Sequence, residues 1–291
     1  MGDSPKPRSK KYVRSESADP FQLQPRDIAL LRDVAEFRFA NSEQLLALHE
    51  GSKRGILNRL SLLYHHGFLE RPKAQEAARL ATGHIVYSLG RKGAQIVYED
   101  AEERQEKMRR VLESERTSPL IGHALMITQF HTCLTLAAQK REGTKIVRWM
   151  QGRELKNAIS VYGESSPLVP DAFFTIRDDD ADIHFFLEAD RDTMGTDKFV
   201  RKLKIYWSWK DEKKVRDALG IPHFRVLTIT PNETRSESLR ISSKEANTDR
   251  QGSRMFLFAP ETRYDTTAPE KILERIWKSP KDDTMYSILD D

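Results

Sequence analysis

Cysteine is almost absent from this chain: Cys133 is the single one in 291 residues. That excludes a disulfide framework or a thiolate metal cluster within one chain, and a reducing, cytoplasmic setting is expected. Long apolar runs are missing too. None reaches the ~18 residues of a membrane span, so none is expected. The first residues lack the apolar core of a signal peptide. No internal repeat and no low-complexity tract is present. Charge of one sign is barely in excess, at +4 from 48 Lys and Arg against 44 Asp and Glu. Nucleic-acid binding is therefore permitted by charge and not dictated by it. What remains is a chain 38% hydrophobic and 32% charged. Those totals describe a soluble folded protein of one large or two medium domains.

Residues 1–19 are polar, Pro-containing and basic, and read as a disordered arm. Lys6, Arg8, Lys10, Lys11 and Arg14 serve either as a solvated tail or as phosphate contacts. Residues 20–98 change rhythm. PRDIALLRDVAEFRF places Ile28, Leu31, Val34 and Ala35 on one side, and Pro25 suits a first helical turn. Asn41 or Ser42 can cap SEQLLALHE. SKRGILNRLSLLYHH makes a third helix on Ile56, Leu60 and Leu63, with Gly67 placed to stop it. FLERP and HIVYSLG read as strands, and RKGAQIVYEDA resumes helix.

Three short helices followed by a two-stranded wing form a winged helix-turn-helix pattern, which reads double-stranded DNA with its third helix and often as a homodimer. Arg54, Asn58, Ser61 and His65 lie opposite the apolar stripe, where they would meet base edges. Lys53 and Arg59 would hold phosphates. The plainer alternative is a polar surface helix on a protein-interaction module.

Residues 99–118 read as a helical linker with i,i+4 pairs Glu103–Lys107 and Glu106–Arg110. From 119 to 291 helices and strands alternate: a long helix from Leu120, the strand TKIVRWM, the strands LVPDAFFTI and DIHFFLEAD, one helix over TDKFVRKLKIYWSWKDEKKVRDAL, the strands HFRVLTITP and SRMFLFAP, and a closing helix APEKILERIWK. The core order αβββαβ implies an α/β (α+β) domain with a mixed sheet.

The paired strands carry acids among apolar residues: Asp171, Glu188 and Asp190. Glu188 and Asp190 share a face because strand side chains alternate. A turn at Asp178 to Ala181 would set Asp171 opposite Glu188. Carboxylates gathered this way repel unless a cation joins them or one is protonated. Mg²⁺ or Mn²⁺ held by Asp171 and Glu188 is the expected guest, and either could activate water for phosphodiester chemistry. The alternative is ion pairing with Arg191, Arg201 or Lys202. Asp178, Asp179, Asp180 and Asp182 read as a solvated hairpin tip. His131 reads as buried, while His123 either does the same or faces the acids. Tyr206, Trp207 and Trp209 fit a core better than base stacking.

Pro170-Asp171 and Glu188-Ala189-Asp190, set in that element order, resemble the PD-(D/E)XK nuclease superfamily. The resemblance implies catalysis by Asp171, Glu188 and Asp190. The lysine of that motif is Asp190 here, so Lys198, Lys202 or Lys204 on the next helix would have to supply the cation. PRDIALLRDVAEFRFANSEQLLAL, NRLSLLYHHGFLER, VYSLGRKGAQIV, LIGHAL, VPDAFFTI, FFLEADRDT and KLKIY, in that order over residues 22 to 210, resemble the replication-relaxation proteins of plasmids and mobile elements. That resemblance implies DNA binding. It leaves two functions: strand nicking or processing with a divalent metal, or a non-catalytic regulator whose second domain serves dimerisation or partners.

Overall fold

The computed structural model describes residues 12–15, 20–77, 83–115, 118–160 and 166–290. The chain divides into two compact units, Met1–Thr128 and Gln129–Asp291. Residues 1–11 and 16–19 of the expected arm lie outside the described residues.

In the first unit α1 (Pro25–Phe37) starts on Pro25, and the Asp27 carboxylate accepts the Gln24 N–H at 2.7 Å. β1 (Ala40–Asn41) leads into α2 (Ser42–Leu48). The cap is Asn41, whose Oδ1 accepts the N–H groups of Glu43 and Gln44 at 2.9 Å, while Gln44 reaches back to the Asn41 N–H. These bonds satisfy donors that a helix start leaves open. α3 (Lys53–His65) is capped by Ser52 and stops before Gly67, whose φ of +82° suits glycine. β2 (Leu69–Glu70), α4 (Ala74–Ala77), β3 (Val86–Leu89), α5 (Arg91–Val97) and α6 (Ala101–Glu115) follow. The strands form an antiparallel sheet in the order β1-β3-β2, with Leu69 opposite Leu89. Leu30, Leu31, Val34, Ile56, Leu60, Leu63 and Leu69 fill the core. Ile28, expected on that face, is only half-buried, and Leu30 takes its place.

The helix α7 (Ser118–Lys140) contains the boundary between the units. Among the described residues its segment Pro119–Lys140 is long and apolar enough, by length and composition alone, to cross a membrane, and most of that apolar stretch is buried, as in the core helix of a folded domain.

The second unit continues with β4 (Thr144–Gln151), α8 (Gly152–Ile159), β5 (Ala172–Asp178), β6 (Ala181–Ala189), α9 (Thr196–Asp211), α10 (Lys213–Leu219), β7 (Arg225–Thr230), α11 (Glu233–Ser242), β8 (Phe256–Pro260), β9 (Trp277–Lys278) and β10 (Met285–Tyr286). The mixed sheet runs β10-β9-β8-β7-β6-β5-β4. Its centre, β6-β7-β8, is parallel and both flanks are antiparallel. The expected αβββαβ order is present with α8 inserted after the first strand. The hairpin turns at Asp179 and Asp180, so Ala172 pairs with Leu187. One sheet face buries Phe173, Phe186 and Phe256 against Leu203, Tyr206 and Trp209 of α9. Phe174, Phe185 and Trp149 share the opposite face with Phe130 of α7.

Two expectations fail. The single helix over 196–219 breaks at Glu212, which is extended at φ −75°, ψ 117°. The closing helix is a short 3-10 turn, Pro269–Leu273, followed by a strand. There the buried Trp277 donates to the Ile272 carbonyl, and sheet pairing overrides helical spacing. The polar segment of α11 gave no apolar stripe to read, yet it buries Arg235, Leu239 and Arg240.

Candidate functional site

The hairpin register brings Asp171 to the mouth of β5 and β6. Its N–H donates to the Leu187 carbonyl at 3.2 Å, and its Oδ2 accepts the Ala189 N–H at 2.8 Å. Glu188 lies inside, only 2% exposed. Lys202 Nζ donates to its Oε2 and the Tyr206 hydroxyl to its Oε1. Lys202 and Tyr206 are four apart on α9 and so share a face. Burial pushes the Glu188 carboxyl up to about 7, opposed by Lys202 and reinforced by the Asp171 charge. Burial works against the charged form of Lys202, but Glu188 and Asp171 outweigh it and hold its pKa above the usual lysine value. Burial also drives the Tyr206 phenol well above its ordinary range.

Asp190 has a different partner. Its carboxylate accepts Arg235 Nε at 2.7 Å and Nη2 at 3.0 Å, and it also accepts the Asp192 N–H at 2.8 Å. Arg235 reaches on to Asp192 and to the Met194 carbonyl. The hydrogen bond to Asp190 raises the pKa of Arg235. The structure thus groups Asp171, Glu188 and Lys202, and gives Asp190 to a guanidinium. Lys198 is exposed one turn before Lys202.

This donor set does not fit Mg²⁺ or Mn²⁺ as folded. Such ions take about six oxygen ligands and keep several waters. Both oxygens of the buried Glu188 already accept hydrogen bonds, and an ammonium supplies the balancing charge. Among the described residues no three His, Cys, Asp or Glu side chains are grouped to hold a metal ion.

Other expectations sort as follows. The hairpin tip is paired rather than merely solvated. Asp182 accepts two bonds from Arg177, and Asp178 accepts the Thr144 hydroxyl at 2.5 Å. His131 stacks on Trp149 at 3.7 Å, and burial lowers its pKa to about 3. His123 belongs to the first unit. Tyr206 and Trp209 are core residues, while Trp207 is half-buried with Lys210 over its ring.

In the first unit Lys53, Arg54 and Asn58 are exposed along α3, and Ser61 and His65 are half-buried. Arg59 is not available for phosphate. It donates to both oxygens of the fully buried Asp27 and to the Gln22 carbonyl, and it lies over the Phe21 ring. A buried carboxylate needs that partner more than a solvated phosphate does. Arg14 is likewise engaged, donating to the Tyr64 and Leu69 carbonyls and to Glu70 Oε1.

The family model for replication-relaxation matches residues 31–219, about two thirds of the chain. The chain belongs to the replication-relaxation family. No curated protein and no solved structure matches it. Membership of this family suggests a role in plasmid or mobile-element replication or relaxation. In this family member the matched span holds Asp171, Glu188, Asp190, Lys202 and Tyr206, and ends before Arg235. Tyr206 and Arg235 escaped sequence reasoning as partners of the acids. The i,i+4 spacing of Lys202 and Tyr206 was a usable signal, whereas nothing in the α11 sequence points to Asp190.

Proposed function

We propose that this replication-relaxation protein binds double-stranded plasmid or mobile-element DNA through a winged helix-turn-helix over residues 20–98, with residues 99–118 as a helical linker and 119–291 as a nuclease-like domain. That second domain serves as a scaffold for dimerisation or partner binding, in a cytoplasmic protein. The observation that carries the reading is α3: Lys53, Arg54 and Asn58 stand exposed on the third helix of a helical unit with antiparallel strands. Arg and Asn match base edges in the major groove, and Lys matches phosphate. The scaffold role is supported by the acids having protein partners, Glu188 with Lys202 and Tyr206, and Asp190 with Arg235. The test is duplex affinity against salt together with footprinting. A steep loss with salt and a palindromic protected site are expected. Salt-independent affinity, or none, would remove the reading in favour of a protein-interaction adaptor.

A second reading is strand nicking. It is favoured by Lys202 meeting Glu188 beside Asp171, the carboxylate-and-cation set of the nuclease resemblance with its lysine moved to α9. It would require Lys202 to release Glu188 to a metal. Nicking of supercoiled plasmid with Mg²⁺ or Mn²⁺ by the wild type, lost in Asp171→Ala and Glu188→Ala, would establish it. Equal cutting by both variants would eliminate it.

A further inference from the structure

The inner side of α9 packs Phe199, Val200, Leu203, Tyr206 and Trp209 into the core of the second unit. Its outer side is basic. Lys198, Arg201 and Lys204 are exposed there, and from Lys198 to Lys210 the helix has no acid. Of Lys198, Arg201, Lys202 and Lys204, only Lys202 meets a carboxylate among the described residues, that of Glu188.

Helix stability does not account for this arrangement. Lys198 stands in the first turn, three residues after the Gly195 cap, where the helix dipole disfavours a cation. Lys198 and Arg201 are three apart, as are Arg201 and Lys204, and Lys198 and Lys202 are four apart. Like charges at those spacings repel across a helix surface. The composition of the unit gives no reason for it either. Gln129–Asp291 balances its Lys and Arg against its Asp and Glu, so the excess on α9 is local. The acids of the hairpin tip do not offset it: Asp178 is paired with Arg141, and Asp182 with Arg177.

A polyanion lying along the helix would remove the repulsion. Lys198 and Lys204 are ~9 Å apart along the axis. That spans between two and three steps of a duplex strand at about 3.4 Å each. α9 exposes no large apolar side chain among its described residues, so this face lacks the apolar insertion that a lipid surface requires.

We propose that the outer face of α9, through Lys198, Arg201 and Lys204, is a second phosphate-binding surface for double-stranded DNA, carried by the second unit and separate from α3. This rests on the DNA-binding reading and makes the nucleic acid itself a partner of the second unit. The contact is to the backbone, so it adds affinity without reading sequence. Lys202 stays with Glu188 and takes no part in it.

The experiment measures affinity against salt for the full chain on a short labelled duplex of mixed sequence. Wild type is compared with Lys198→Ala/Arg201→Ala/Lys204→Ala and with the α3 variant Lys53→Ala/Arg54→Ala. Lys213→Ala/Lys214→Ala/Lys244→Ala is the control, since it removes the same charge from exposed positions outside α9. Thermal melts confirm that each variant is folded. The α9 variant should flatten the log–log salt slope by roughly 2.7, at about 0.9 for each lost phosphate contact, while the control keeps the wild-type slope. An unchanged slope in the α9 variant, or a change no larger than that of the control, overturns the α9 surface. Weaker binding by the α3 variant in that same series would leave the DNA-binding reading standing. Failure of the wild type to bind duplex at all overturns both.

Discussion

Arg235 closes on Asp190 with two donors, at 2.7 and 3.0 Å, from the first turn of α11. Asp190 occupies the position where the nuclease resemblance wants a lysine, and the protein answers that acid with a guanidinium. Both side chains are more than nine-tenths buried. Such a pair adds little over an apolar substitute but is costly to break from one side.

Arg235→Ala should therefore destabilise the protein by about 3–5 kcal/mol, because it leaves a buried carboxylate without its counter-charge. Adding Asp190→Ala should restore part of that loss. Chemical denaturation of the two single variants and the double variant gives the coupling. Additive losses would mean that the pair is not energetically joined.

Glu188 carries a proton-linked signature. Its folded pKa, about 7, stands above the ordinary carboxylate value of 4.5. The folded state thus holds a proton that the unfolded chain releases. The associated stability is fully present below pH 4.5 and is lost as pH rises through 7, at about 1.4 kcal/mol per pH unit. A Glu188→Gln/Lys202→Met double variant should lack this slope when unfolding free energy is measured across that window. An unaltered slope would place the proton elsewhere.

His131 should do the opposite. Burial lowers its pKa to about 3, so the folded state excludes a proton that the unfolded chain accepts below about 6.5. Its stability is present above pH 6.5 and is lost as pH falls towards 3, again at about 1.4 kcal/mol per unit. His131→Phe keeps a ring against Trp149 and should flatten the acid limb of the stability curve. A variant with the same acid limb as wild type would refute the assignment.

The two arginines of α3 should separate cleanly. Arg54→Ala should weaken specific DNA binding by about 1–3 kcal/mol with little change in melting temperature. Arg59→Ala should lose about 3–5 kcal/mol of stability by stranding Asp27. Lys53→Ala should lower the salt slope by about 1 across all sequences. Calorimetry and binding titrations on the three variants distinguish these outcomes, and a DNA defect in Arg59→Ala without loss of stability would contradict the structure.

Sequence alone was enough for the local features. Pro25 starts α1, Asn41 caps α2, and Ile56, Leu60 and Leu63 pack α3, because each depends on neighbours within a few residues. The hairpin of β5 and β6 was legible for the same reason: strand period and a tight acidic turn together fix the register that sets Asp171 beside Glu188. Partner choice was decided by tertiary structure. The α3 sequence by itself makes Arg59 a phosphate contact, because its acid partner, Asp27, sits on another helix. Strand alternation groups Asp190 with Glu188 and says nothing about a guanidinium arriving from α11. The segment around Trp277 has helical spacing, but extending the sheet edge and seating an indole among other rings outweighs a weak local preference. Charges and large aromatics are settled by what surrounds them in three dimensions, since their burial is costly without a partner and favourable with one.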